Sequence, residues 1–255
     1  MTKFIKIDGL NFHYKVSGKG KNIILLHGWA CDLHIFDNLH AFLEKNFKTY
    51  SIDFPAFGKS QTPNSVWSIE NYTTFLEKFV KLNKIKNPIL FGHSFGGRVS
   101  ILFSSRNYVE KLILIDSAGI KPKRKLNYYF KIYTYKLLKK LIRIKILKNY
   151  SKNLMKKYVK KNSSSDYQNA NEMQKKILIK IVNEDLKNVM PKIQSSTLLI
   201  WGENDNATPV EDAKIMNKLI KNSGLVVLKN SGHYSFLEKQ NEFFIIVNNF
   251  LQNDK

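Results

Sequence analysis

Acidic residues are scarce in this chain of 255 residues: 20 Asp and Glu stand against 42 Lys and Arg, a formal charge of +22. Cysteine is nearly absent. With Cys31 alone, no intrachain disulfide can form and no cluster of thiolates can hold a metal. No run approaches the roughly 20 apolar residues that span a bilayer. The opening MTKFIKIDGL lacks the continuous apolar stretch of a secretory signal, so a cytoplasmic protein is expected. Neither G-x-G-x-x-G nor G-x-x-x-x-G-K-[ST] occurs, and no histidines and carboxylates have metal-ligand spacing. No cofactor and no metal are therefore expected. Internal repeats and Gly/Ser-rich linkers are missing too. What remains is ample core material: 43% hydrophobic and 13% aromatic residues exclude a disordered chain. The length fits one large α/β domain or two small ones.

Short apolar runs recur at 22–26, 48–53, 88–91, 111–115, 197–201 and 225–228. Each is too short for a helix and suits a parallel strand buried on both faces. Helical patterns separate them at 34–45, 69–83, 95–106, 210–222 and 235–251. That alternation predicts an α/β fold with a mostly parallel central sheet flanked by helices. Residues 3–7 and 11–16 read as a preceding hairpin, with Asp8-Gly9 near its turn. The alternation lapses once: from 119 to 192 the pattern is helical and contains no strand.

The strongest chemical signal is PILFGHSFGG at 88–97, which holds Gly92-His93-Ser94-Phe95-Gly96 between an apolar run and a helical pattern. A G-x-S-x-G on a sharp strand-to-helix turn needs small flanking residues and projects the serine Oγ above the sheet. With these residues the chain resembles the α/β-hydrolase superfamily, in its serine-hydrolase (esterase-like) branch with a helical cap. The resemblance runs from the N-terminal hairpin to the last helix. His27-Gly28-Trp29 is similar to the family's HG-x oxyanion loop, and Asp53-Phe54-Pro55-Ala56-Phe57-Gly58-Lys59-Ser60 to its D-x-P-G-x-G-x-S turn. Two departures stand out. Ala30 and Ala56 occupy positions where glycine is common in the family, which implies altered loop geometry with the backbone N–H groups retained.

A serine nucleophile needs a base, and the base needs an orienting carboxylate. Both follow in the order Ser, acid, His that this fold uses. Asp205 lies in Trp201-Gly202-Glu203-Asn204-Asp205 and His233 in Ser231-Gly232-His233, each just past an apolar run. Glu203 competes with Asp205, which fits the family pattern better. Asp53 and Asp116 also end strands and read as turn-forming or capping carboxylates. The resemblance implies that the backbone N–H groups of Trp29 and Phe95 form the oxyanion hole. It also implies that His27, Gly28, Gly92 and Gly96 support these loops. His13, His34 and His40 read as structural or surface groups.

The expected activity is hydrolysis of a carboxylic ester through an acyl-enzyme on Ser94. The same residues also serve acyl-carrier-linked methyl esterases, thioesterases and C–C bond hydrolases. A non-catalytic binding protein on a hydrolase scaffold is the reading of another class. The expected domains are a core of 1–118 and 193–255 and a helical cap of 119–192 over Ser94, because the chain leaves the run 111–115 at its carboxyl end, where the catalytic loops gather, and re-enters the sheet at Thr197. Residues 121–161 carry 16 Lys and Arg and no acid, leaving only +6 for the rest of the chain. Aromatic and aliphatic residues interleave with these cations at loosely helical spacing. A solvated face and a surface for an anionic partner, either a carrier protein or a membrane, are both open. No nucleic-acid motif accompanies the charge, so nucleic acid is not expected.

Overall fold

The computed structural model describes residues 2–122, 126–141, 154, 157, 159 and 163–252. Eight strands form one sheet among them: β1 (Thr2–Ile7), β2 (Leu10–Ser17), β3 (Asn22–Leu26), β4 (Lys48–Ile52), β5 (Ile89–His93), β6 (Lys111–Ile115), β7 (Ser196–Gly202) and β8 (Ser223–Leu228). Their spatial order is β1-β2-β4-β3-β5-β6-β7-β8. β1 and β2 form an antiparallel hairpin, and β2 joins β4 antiparallel. From β4 through β8 every pairing is parallel. Asp8 and Gly9 turn the hairpin with φ of 49° and 84°, the left-handed pair that matches the twist of a two-residue β-turn.

The apolar runs become the central strands, and in β5 and β6 every residue is buried. Ile23, Leu25, Phe91, Ile113, Ile115 and Ile200 point to one face and form a buried cluster there with Phe36, Leu39, Phe243 and Val247. Each such side chain contributes about 1.5–3 kcal/mol when taken out of water. Leu39 comes from helix α1 (Asp37–Leu43), Phe36 from the 3₁₀ turn Leu33–Phe36 before it, and Phe243 and Val247 from the C-terminal helix Gln240–Gln252. Helix α2 (Ile69–Leu82) starts at a capping box between Ser68 and Asn71 and buries Ile69, Tyr72, Leu76 and Phe79 on one stripe. Helix α3 (Phe95–Ser104) buries nearly all its residues. Lys111, buried at the start of β6, donates from Nζ to Phe250 O and Leu251 O, two orphan carbonyls at a helix end.

One expected helix is broken. The pattern at 235–251 folds as Ser235–Glu238 followed by Gln240–Gln252, with Lys239 at φ −125°, ψ 44° between them. No glycine or proline marks the break.

The chain forms two compact units, Met1–Ile120 with Glu184–Lys255, and Lys121–Asn183. The second contains the helices Leu126–Leu141, Ser165–Asn169 and Glu172–Ile181. Within the sheet-bearing unit, Leu186 N–H donates to Gly119 O and Arg98 Nη1 donates to Glu184 O. Part of the basic run expected to be helical, including Arg143, Lys145 and residues 146–147, lies outside the described residues.

Candidate active site

The parallel strands β5 to β8 end on the same edge of the sheet, and each is followed there by a polar residue: Ser94, Asp116, Asp205 and His233. Ser94 sits at φ 49°, ψ −110°, a backbone conformation that L-residues adopt only when the surroundings force it. Ser94 N–H donates to Ile115 O, and Ser94 O accepts from Gly97 N–H and Ala118 N–H. The flanking glycines permit the approach. A Cβ on Gly96 would lie 2.0 Å from Leu26 O, and one on Gly92 would lie 2.4 Å from Ser100 Oγ. The G-x-S-x-G spacing thus follows from contact with β3 and with α3 itself.

A hydrogen-bonded chain runs from this serine to a carboxylate. His233 Nε2 lies 2.9 Å from Ser94 Oγ, and His233 Nδ1 lies 2.8 Å from Asp205 Oδ2. With a carboxylate as its partner, Nδ1 carries the proton, and Nε2 is left to accept from the serine. Asp205 Oδ1 accepts from Ala207 N–H and Thr208 N–H at 2.8 and 3.0 Å. Burial pushes the Asp205 carboxyl up, but bonds from His233 and Thr208 outweigh it and hold the pKa below its ordinary value. The carboxyl is therefore ionised at neutral pH. Glu203 is exposed and accepts from Asn230 N–H. Of the two acids in this loop, Asp205 is the one that meets the imidazole.

The residues expected to form the oxyanion loop lie beside Ser94: a Cβ on Gly28 would be 3.4 Å from the Ser94 Cβ. Cys31 N–H donates to Gly28 O, closing a turn whose central residues are Trp29 and Ala30, the latter at φ 58°. That is the pattern of a type II turn, which leaves the Trp29 N–H out of the turn bond. Phe95 opens α3, so its N–H has no intrahelical acceptor. The Trp29 and Phe95 rings meet edge to face at 5.7 Å. His27 is buried and kept neutral by that burial; its Nδ1 donates to Gly28 O and its Nε2 accepts from Phe54 N–H. It ties the loop after β3 to the end of β4. Ala56 also takes a left-handed φ of 76°, so both alanine departures fall where glycine is the conformationally natural residue.

Two residues read from the sequence as structural do more than end a strand. Asp53 accepts from Leu33 N–H and Lys59 N–H and pairs with His13, which fixes the turn after β4. Asp116 is fully buried; its Oδ1 accepts from Gly202 N–H at 2.8 Å and its Oδ2 accepts from Ser235 N–H and Ser235 Oγ at 3.1 and 2.6 Å. Burial pushes its carboxyl up to about 7 against the lowering effect of these bonds. Thr208, not anticipated, places Oγ1 2.7 Å from Asp205 Oδ2 and 2.9 Å from Asp116 O. Asp116 thereby links the loops that carry Asp205 and His233. His93, at the variable position of the elbow, lies 5.0 Å ring to ring from His233. Burial, then the neighbouring His233, push it down to about 3, and it donates from Nδ1 to Ile115 O. Among the described residues, no group of three or more His, Cys, Asp or Glu side chains is gathered to hold a metal ion.

Residues 21–240 match the sequence model of the alpha/beta hydrolase fold family. The AB hydrolase superfamily protein YisY of Bacillus subtilis is 25% identical over 252 residues, covering 91% of this chain and 92% of that protein. The pimeloyl-[acyl-carrier protein] methyl ester esterase of Wigglesworthia glossinidia brevipalpis is 26% identical over 263 residues, covering 94% and 98% of the two chains. An esterase from Exiguobacterium antarcticum superposes with a TM-score of 0.77 at 24% identity, over 99% of this chain and all of the other. The matched segment spans β3 through β8 with the Ser94 elbow and the His233 loop, and the chain belongs to the alpha/beta hydrolase family.

Proposed function

We propose that the protein hydrolyses a carboxylic ester through an acyl-enzyme on Ser94, with His233 as base and Asp205 as its orienting acid. The observation that carries this reading is the unbroken path Ser94 Oγ–His233 Nε2 and His233 Nδ1–Asp205 Oδ2, at 2.9 and 2.8 Å. In this reaction His233 Nε2 takes the Ser94 proton as Oγ bonds to the acyl carbon. The carbonyl electrons move onto oxygen, where the N–H groups of Trp29 and Phe95 receive the charge. The C–O bond to the alcohol then breaks and the imidazolium returns its proton to that oxygen. Water repeats the sequence, giving up a proton to His233 and releasing the acid from Ser94. Asp205, held ionised, favours the tautomer that this exchange needs.

The methyl ester of a carrier-linked acyl chain is a second reading, favoured by the end-to-end similarity to the Wigglesworthia esterase. The role of residues 119–192 as a cap belongs to the proposal, and rests on topology: the insertion leaves the sheet after the carboxyl end of β6. A panel of p-nitrophenyl esters of graded length, a methyl ester and a thioester tests the class and ranks the acyl group. Ser94→Ala is expected to fold and to lose ester hydrolysis by several orders of magnitude, together with fluorophosphonate labelling. Retention of more than about a tenth of the wild-type rate overturns the assignment.

A further inference from the structure

The helix Leu126–Leu141 carries an exposed apolar line inside the most basic stretch of the chain. Leu126 is 88% exposed, Tyr133 74% and Leu137 51%. At about 100° per residue, steps of seven and eleven bring Tyr133 and Leu137 to within about 20° of Leu126 around the axis. The three side chains therefore form a single ridge. Lys136 and Lys140, both exposed, fall along one border of it, with exposed Lys139 beyond them. Tyr135 projects from the opposite side and hydrogen-bonds there with Tyr167 of the helix Ser165–Asn169. Lys175 in turn sits 5.8 Å over the Tyr167 ring. The face that packs against its own unit is thus spoken for, and the ridge is the other one.

We infer that this ridge is a docking surface for an anionic phospholipid bilayer. A helix with apolar residues on one line and lysines beside it lies in the plane of a membrane interface, where hydrocarbon takes the apolar groups and headgroup phosphates take the cations. Both terms are present here. Residues 121–161 hold 16 cations and no acid, so the chain that carries the ridge is uniformly cationic. A nucleic acid would match the charge and leave Leu126, Tyr133 and Leu137 facing water, and an acidic protein would cover them only with an apolar patch of its own. No described helix is long and apolar enough to cross a membrane, so the contact is at the surface. Dual dependence follows: attraction falls with salt, because exposed charges are screened within roughly 8 Å at physiological ionic strength, while the apolar part does not.

The test is co-sedimentation of the full chain with vesicles of phosphatidylcholine alone and of phosphatidylcholine mixed with phosphatidylglycerol, over a series of salt concentrations. Binding is expected to the mixed vesicles only, with slowed amide hydrogen exchange over residues 126–141. Lys136→Gln/Lys139→Gln/Lys140→Gln is expected to weaken it about 100-fold, at about fivefold per lysine near a charged surface. Tyr133→Ser/Leu137→Ser is expected to weaken it about tenfold or more per side chain. Circular dichroism melting checks that both variants fold, and the exchange measurement on the wild type decides if either does not. Equal binding to both vesicle types, no binding, or no change in exchange over 126–141 overturns the inference. So does an acidic carrier protein that binds the Tyr133→Ser/Leu137→Ser variant as tightly as wild type in the absence of vesicle binding.

Discussion

Asp116 gives the fold a pH dependence of unusual sign, and Asp116→Asn isolates it. A carboxyl in the unfolded chain titrates near 3.9, whereas burial pushes Asp116 up to about 7 in the folded protein. Between these values the folded state holds a proton that the unfolded state has lost. Stability from this group is therefore full below about pH 4 and declines as pH rises toward 7. Working the two titrations between pH 5 and pH 8 gives a loss of about 2–3 kcal/mol. Asp205, with its lowered pKa, acts oppositely: its contribution is present at neutral pH and is lost on acidification. Urea unfolding of wild type and Asp116→Asn at both pH values separates the terms, because every other group titrates in both proteins. The asparagine keeps one acceptor oxygen for Gly202 N–H or Ser235 and cannot ionise. The expected result is that wild type loses about 2–3 kcal/mol more than the variant on going from pH 5 to pH 8. Parallel changes in the two proteins would refute the account, and would mean that the three donors around Asp116 keep it ionised throughout.

Asp205→Asn is expected to lower ester turnover about 10⁴-fold at neutral pH by reversing the imidazole tautomer, while Glu203→Gln stays within about twofold; steady-state kinetics that rank them the other way would move the acid role to Glu203. Thr208→Val removes a hydroxyl 2.7 Å from Asp205 Oδ2, and kcat/KM is expected to fall about tenfold, the worth of one hydrogen bond to a charged group. An unchanged kcat/KM would assign that hydroxyl to Asp116 O instead. Ala30→Gly is expected to raise Tm by roughly 2–4 °C, since the exposed alanine at φ 58° gives up about 1 kcal/mol of left-handed strain. Ala56→Gly should gain less in the same calorimetric scan, because its methyl group is buried.

The sheet was legible because buried parallel strands leave unbroken apolar runs. The run at 111–115 is a strand to the residue, and those at 197–201 and 225–228 gain one or two at their ends. The elbow was legible for a different reason: a backbone forced to φ 49° against β3 and α3 tolerates only glycine at 92 and 96, so local geometry leaves a linear trace. Helix ends kept no such trace at Lys239, where the break separates Phe236 from Phe243, both held in the core. The order Ser94, Asp205, His233 was readable as well, because each candidate follows an apolar run in succession.

The connections among the loops were not readable, and the reason is physical. Gly202, Thr208, Ser235 and Asp116 lie on separate segments, and their spacing in the chain carries no period that a helix or strand would impose. Only the parallel register of β6 with β7, pairing Ile115 with Ile200, brings Asp116 against Gly202 N–H. Once there, the carboxyl must be satisfied, because an unpaired buried acid costs far more than a hydrogen bond returns. Ser235 meets that need from two residues beyond His233, and Thr208 bridges to Asp205 from three residues beyond it. The position of the imidazole is thus fixed from both sides by groups that never touch Ser94. A strand-ending aspartate is an ordinary turn residue in the sequence and becomes a clamp only when the sheet closes around it. Its cost in stability at neutral pH is the measurable signature of that placement, which is why the pH dependence of Asp116→Asn tests the architecture of the site and not the chemistry alone.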